Sequence, residues 1–323
     1  EVIISDSTSV NLFKTALAAL RMNSSRKKII TDEFNFPSDL YILQGSCDLL
    51  ASNHTIEMIR SHDGVSIDLE SIEGALDSNT ALLTLSHVVF KSGFLYDAQR
   101  VTDMAHKAGA LVLWDLSHSV GSVPIHLNEW NADFAIGCTY KYLNGGPGAP
   151  AFLYVRDDLI NKAISPIWGW FGDHNPFSFS LDYNPSDQIK RFLVGTPPIL
   201  SLLGMEPGVD LILEATIDRL REKSVQQTTF LISLFDQVLS SLGFTLGTPR
   251  EPERRGSHVS IRHPEGYRIA RSLIEVFKVI PDFREPDNIR LGIAPIYTRF
   301  IDIWEAVNRI RLVMQDGRFL QYS

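Results

Sequence analysis

The stretch Phe134-Ala-Ile-Gly-Cys-Thr-Tyr-Lys-Tyr-Leu-Asn-Gly-Gly-Pro-Gly148 reads as a short strand, apolar on both faces, that delivers Tyr140, Lys141 and Tyr142 to its end and then breaks at a glycine-rich turn. A strand without polar alternation is buried on both sides, as happens in parallel sheets covered by helices. Leu111-Val-Leu-Trp-Asp115 has the same texture and ends in a carboxylate, followed by Leu116-Ser-His118. Further out, Val2 to Ser5 reads as a core strand leading into a helix from about Ser9 to Met22. Lys28 to Thr31 leads into a helix after Pro37, and Ala81 to Ser86 into a helix from about Tyr96 to Ala108. This alternation predicts an α/β fold with a mostly parallel sheet and helices on both faces. Ligands in such sheets bind at the carboxyl ends of the strands, where Asp6-Ser-Thr-Ser9, Ser86, Asp115 to His118 and Tyr140-Lys141 fall.

From about Leu202 the texture changes. Val209 to Leu242 is amphipathic and predicts a long helix, broken near Thr228. A strand at His258 to Arg262, a helix from Gly266 to about Phe277, a strand at Ile289 to Ile293 and a helix from Arg299 to Met314 follow. The expected division is therefore a large domain over 1–201, then a connecting helix and a smaller α+β C-terminal domain over 202–323. Glu1 is not an initiator residue, so the chain is expected to begin inside a domain, with an N-terminal segment missing.

The 323 residues are 44% hydrophobic, enough for two cores, and the formal charge is −8. That balance and the lack of clustered Lys and Arg argue against nucleic acid or an anionic membrane as partner. No apolar run approaches a membrane span. Cys47 and Cys138 offer neither a disulfide framework nor metal-ligand spacing, so no metal is expected and a reducing, cytoplasmic setting is.

Most lysines are solvated and many strand-end aspartates only cap helices. A lysine between an apolar strand and a glycine turn is less ordinary, because a buried ammonium is costly unless relieved by neighbours or by covalent bonding. Paired with Asp115 it suggests a pyridoxal phosphate (PLP) site: the cofactor needs an amine to condense with its aldehyde and a carboxylate to keep its ring nitrogen protonated. Thr8 and Ser9, opening a helix, could cradle a phosphate, or Ser7 or Ser9 could be a plain N-cap. Phe36, held extended before Pro37 in Phe34-Asn-Phe-Pro-Ser-Asp39, could present its ring to a flat cofactor or sit in the core. Trp168-Gly-Trp-Phe-Gly172 could be a pocket wall, a subunit contact or packing. Arg290 could grip a carboxylate with two prongs or pair with a neighbouring Asp or Glu.

Taken together the chain resembles the kynureninases, PLP enzymes of fold type I, class V aminotransferase-like. The matching blocks keep order along nearly the whole chain: Asp6 to Leu12, Asn35-Phe-Pro-Ser-Asp-Leu-Tyr41, Leu85 to Val88, Trp114-Asp-Leu-Ser-His-Ser119, Asp133 to Pro150, Gly169 to Gly172, Gly195-Thr-Pro-Pro-Ile-Leu200, Arg255-Gly-Ser257, and Ile289-Arg290 with Pro295 to Phe300. The resemblance implies hydrolysis of L-kynurenine or 3-hydroxykynurenine to L-alanine and the anthranilate, in tryptophan catabolism or NAD biosynthesis. Lys141 would bind PLP covalently and carry protons with Tyr140; Asp115 would face the ring nitrogen with Asp39 nearby; Phe36 would stack on the ring and His118 line the site. Thr8, Ser9, Ser86 and Tyr140 would hold the phosphate, Trp170 and Thr196 would reach in from the partner of a homodimer with shared active sites, and Arg290 would bind the α-carboxylate. Some members carry Asn at the position of Thr196, which leaves the preference between the two kynurenines open, and a family histidine near the aryl group has no counterpart here. The alternatives are a cysteine desulfurase or class V aminotransferase, or a PLP-binding paralogue without turnover.

Overall fold

The computed structural model describes residues 1–322. Its first part runs β1 (Val2–Ile4), α1 (Thr8–Met22), β2 (Lys28–Asp32), α2 (Pro37–Leu50), β3 (Thr55–Ile59), α3 (Leu69–Ala75) and β4 (Thr80–Ser86). It continues with α4 (Ala98–Ala108), β5 (Leu111–Asp115), β6 (Phe134–Cys138), β7 (Ala151–Val155) and the short α5 (Asp157–Ile160). One seven-stranded sheet results, in the order β1-β7-β6-β5-β4-β2-β3. Pairing is parallel from β3 through to β6, whereas β7 opposes both its neighbours, so that β1 points the same way as the rest.

Successive side chains of a strand face opposite ways, which is why doubly apolar strands need two covering layers. Leu82, Leu113, Phe134 and Ile136 pack with Leu12, Ala16 and Leu43 of α1 and α2 on one face. Leu83, Leu85, Val112 and Trp114 pack with Ile72, Val101 and Ala105 of α3 and α4 on the other. Val2 to Ser5 departs from expectation. It is an edge strand, paired only with β7 and partly exposed, rather than a core strand.

After α5, short 3-10 turns between Trp170 and Phe192 lead to α6 (Ile199–Ala215), α7 (Ile217–Leu234), β8 (Thr245–Leu246) and β9 (His258–Arg262). Then come α8 (Gly266–Glu275), β10 (Asp282–Arg284), β11 (Asn288–Gly292) and α9 (Phe300–Asp316). The four strands form a second, antiparallel sheet in the order β10-β11-β9-β8, with Leu231, Val259, Ile261, Ile289 and Val307 in its own core. The division expected between 201 and 202 falls inside the first turn of α6.

The helix break expected near Thr228 lies instead at Thr216, whose φ of 62° and ψ of 139° end α6 and start α7. Thr228 continues the helix because its hydroxyl turns back to the Ser224 carbonyl at 2.9 Å while accepting from Arg255 Nε at 3.0 Å. An internal partner for the hydroxyl removes the reason for a break.

Candidate active site

The carboxyl ends of β5 and β6 open into a cavity of 590 Å³, closed from the far side by β10 and β11 of the second sheet. Lys141 lies in the turn that follows β6. That turn is fixed by its own backbone: Gly145 N–H donates to the Thr139 carbonyl at 2.9 Å, Asn144 N–H to Lys141 at 3.0 Å, and Thr139 Oγ1 to Pro150 at 2.5 Å. Gly146 and Gly148 take φ of 75° and 80°, the left-handed region where glycine carries no side-chain penalty. A lysine held in this way keeps its reach while its backbone stays put.

Asp115 ends β5 in register with Ser86 of β4. Its Oδ1 accepts from Ser117 N–H at 2.9 Å and Ser117 Oγ at 2.6 Å, which fixes the carboxylate and leaves Oδ2 only a long contact to Ser86 Oγ at 3.4 Å. Asp39, at the start of α2, lines the same cavity and is buried. Burial, and then the neighbouring Asp115, push its carboxyl well above the usual carboxylate range. Were both carboxyls ionised beside one lysine, a protonated ring nitrogen would supply the missing positive charge.

The N-termini of two helices meet at the cavity. Ser7 caps α1, so Thr8 and Ser9 form its first turn, and Ser9 Oγ lies 2.8 Å from Ser38 Oγ in the first turn of α2. All three line the cavity, and exposed helix-start N–H groups with hydroxyls suit a phosphate. Phe36 is 41% exposed, lines the cavity and meets Phe90 edge-on at 5.3 Å, so it is not a core residue. Tyr140 is 52% exposed, and partial burial with Cys138 beside it pushes its phenol up to about 12, so it carries its proton at neutral pH.

His118 and His258 are buried with rings 5.8 Å apart, and burial holds both neutral, His258 down at about 3. Arg290 reaches the cavity from β11. It donates Nη1 to the Phe90 carbonyl at 2.7 Å, with His118 Nε2 at 3.3 Å, and turns Nε and Nη2 onto Oδ2 of Asp282. The expected choice between a ligand carboxylate and a neighbouring acid is therefore, in the free protein, resolved as Asp282.

Thr8, Ser9, Phe36, Asp39, Asp115, His118, Tyr140, Lys141 and Arg290 all line this one cavity. Ser86, expected at the phosphate, does not line the cavity: it is buried, its hydroxyl donates to Asn35 Oδ1 at 2.8 Å, and Asp115 Oδ2 lies 3.4 Å away. Trp170 and Thr196 lie on the exposed segment outside the cavity, with Trp170 packed against Phe171 and Phe177. Asp282, Arg284, His258, Tyr142 and Tyr297 also line the cavity, and sequence reasoning gave none of them a role. Asp282-Phe-Arg284 does alternate polar and apolar, but three residues are too few to read as a strand without the β11 partner. Among the described residues no cluster of His, Cys, Asp and Glu could hold a metal ion.

A helix-covered, mostly parallel sheet, with a lysine at one strand end, an aspartate at the next and a helix start for a phosphate, is the architecture of PLP-dependent enzymes of fold type I. Solved structures agree on the fold: a cysteine desulfurase from Thermococcus onnurineus NA1 superposes with a TM-score of 0.84 at 19% identity over 98% of this chain and 80% of that one. An alanine–glyoxylate aminotransferase from Nostoc sp. gives 0.71 at 19% identity, covering 97% and 81%. At the level of sequence, residues 220–310 match the kynureninase C-terminal domain model. Kynureninase from Pseudomonas fluorescens is 44% identical over 95% of this chain and 73% of its own length, and that from Burkholderia mallei (strain SAVP1) 40% over 97% and 74%. The chain belongs to the kynureninase family.

Proposed function

We propose that this chain hydrolyses L-kynurenine, or its 3-hydroxy relative, to L-alanine and the corresponding anthranilate. The observation that carries this reading is the convergence of Lys141, Asp115 and Arg290 on one cavity in a chain 44% identical to a kynureninase. The bound PLP supplies an electron sink that acidifies the substrate's α C–H and lets its Cβ–Cγ bond break. The protein's part is to bind, orient and move protons. Arg290 takes the α-carboxylate, which fixes the amino acid half of the substrate. Lys141 would hold PLP and, with the substrate bound, would take the α-proton and later return a proton to Cα. Water would add to the γ-carbonyl, the Cβ–Cγ bond would break with its electron pair left on Cβ and the carbonyl half released with the added oxygen as the anthranilate, and Tyr140, protonated at neutral pH, would give Cβ its proton.

The thiol of a desulfurase belongs on a mobile loop, whereas Cys138 is buried in β6 and Cys47 lies in α2, which disfavours that reading. A homodimer with shared sites is supported by the exposed apolar side chains of Trp168, Trp170, Phe177, Phe179, Leu181 and Leu200, more than a lone chain leaves in water. Trp170 and Thr196 would then act in the partner's site. Among the described residues no helix is long and apolar enough to cross a membrane, and two free cysteines favour a reducing, cytoplasmic setting. The deciding assay follows anthranilate fluorescence from L-kynurenine and 3-hydroxykynurenine, with sulfide release from cysteine in parallel. Sulfide without either anthranilate would transfer the assignment to a desulfurase.

A further inference from the structure

Arg290 is the proposed anchor for a substrate carboxylate, yet its Nε and Nη2 edge is already spent on one oxygen of Asp282. Its remaining Nη1 faces the Phe90 carbonyl and His118 Nε2. A carboxylate needs a two-donor edge, so a substrate can dock on Arg290 in the two-pronged manner only by taking the place Asp282 now holds. Two residues along β10, on the same side of the strand, Arg284 also lines the cavity. Its Nη2 lies 3.8 Å from Asp282 Oδ1, its Nη1 reaches only the Phe283 carbonyl at 3.1 Å, and its Nε is buried without a partner. A buried guanidinium N–H left unpaired is costly and marks a place where a partner belongs.

We propose that Asp282 is an internal competitor at the substrate anchor: it occupies Arg290 in place of a substrate carboxylate, and an incoming α-carboxylate displaces it onto Arg284. The exchange balances charge among these groups, since each guanidinium ends with one carboxylate. An amine without the carboxylate leaves Asp282 on Arg290 and gains nothing from either arginine. Asp282 thus lowers the affinity for α-amino acids without altering that for amines, and Arg284 is the seat that makes the exchange possible.

This inference rests on the assignment of Arg290 to the carboxylate. The holoenzyme of wild type, Asp282→Asn, Arg284→Gln, the double variant and Arg290→Lys would be titrated with L-alanine, following the visible spectrum, and assayed for KM with L-kynurenine. Kynuramine, the decarboxylated amine, serves as the control ligand. Removing the internal competitor should tighten alanine and lower KM by about threefold to tenfold, since binding no longer waits for a minor state. Arg284→Gln should weaken both by a similar factor, but not in the Asp282→Asn background, and kynuramine binding should move with neither. If Asp282→Asn weakens alanine as Arg290→Lys does, Asp282 merely orients Arg290 and the proposal is overturned. It is equally overturned if the Arg284→Gln effect persists without Asp282. If instead Arg290→Lys leaves alanine affinity unchanged, the carboxylate assignment itself is wrong, and that result separates the two failures.

Discussion

Lys141, Asp115 and Asp39 share one cavity, and each can be tested alone. Lys141→Ala should abolish the visible band of the bound cofactor and all turnover; a band unchanged in absorption spectra would move the attachment elsewhere. Arg290→Lys should lose about 2–5 kcal/mol in kcat/KM for L-kynurenine, because a point charge cannot reproduce the planar fork. Asp39 yields a pH prediction. Its carboxyl is raised chiefly by burial and then by Asp115, so the folded, cofactor-free chain keeps a proton that the unfolded chain releases. Stability from this group is full below the ordinary carboxylate range and is lost as pH rises through the folded value. Asp39→Asn should therefore raise the melting temperature of the cofactor-free protein at pH 7 by on the order of a few degrees and flatten its decline from acid pH, while weakening PLP binding. An unchanged thermal unfolding profile across pH would refute this. These residues were legible because covalent attachment and charge pairing demand particular side chains after particular strands. Asp282 and Arg284 were not, because their meaning depends on a strand partner and on Arg290, none of which a three-residue segment announces.

Strands apolar on both faces could be read one by one, and β5 and β9 fall where the sequence puts them. What escaped was set by neighbours rather than by local pattern. The edge position of β1 follows from which strand it pairs with, and apolarity alone does not distinguish edge from core in so short a run. The helix break shows the same limit: Thr228 has a helix-breaking hydroxyl but finds partners, whereas Thr216 takes a positive φ that no glycine or proline signals. A threonine there carries backbone strain that glycine would not. Thr216→Gly should stabilise the protein by about 1 kcal/mol, measured as a higher midpoint in urea unfolding with unchanged slope. A lower midpoint would mean that the threonine side chain, not the turn, decides the local energy.

Two sheets, the first mostly parallel and the second antiparallel, meet around the cavity, and the segment with Trp170 and Thr196 faces outward. If these two residues serve a partner's site, subunits of Trp170→Ala and Lys141→Ala, each weak or dead alone, should regain up to a quarter of wild-type activity once mixed and exchanged, by the statistics of pairing one intact site per mixed dimer. Exchange proven by labelled subunits without any recovery would rule sharing out. The α/β architecture was legible from the alternation of strands and helices, while the way the two sheets close on each other was not, because it depends on contacts such as that between Arg290 and Phe90, which lie 200 residues apart. That contact also sets an order of events during synthesis. The helix start and Asp115 leave the ribosome first, and Lys141, the last of the three, roughly 150 residues before Arg290, an interval on the order of 10–30 s at ordinary elongation rates. On the roles proposed above, a nascent chain would hold the groups for the cofactor before it owned the one for a substrate carboxylate, and the reactive amine would be paired with a carboxylate filter only when translation had passed the second sheet.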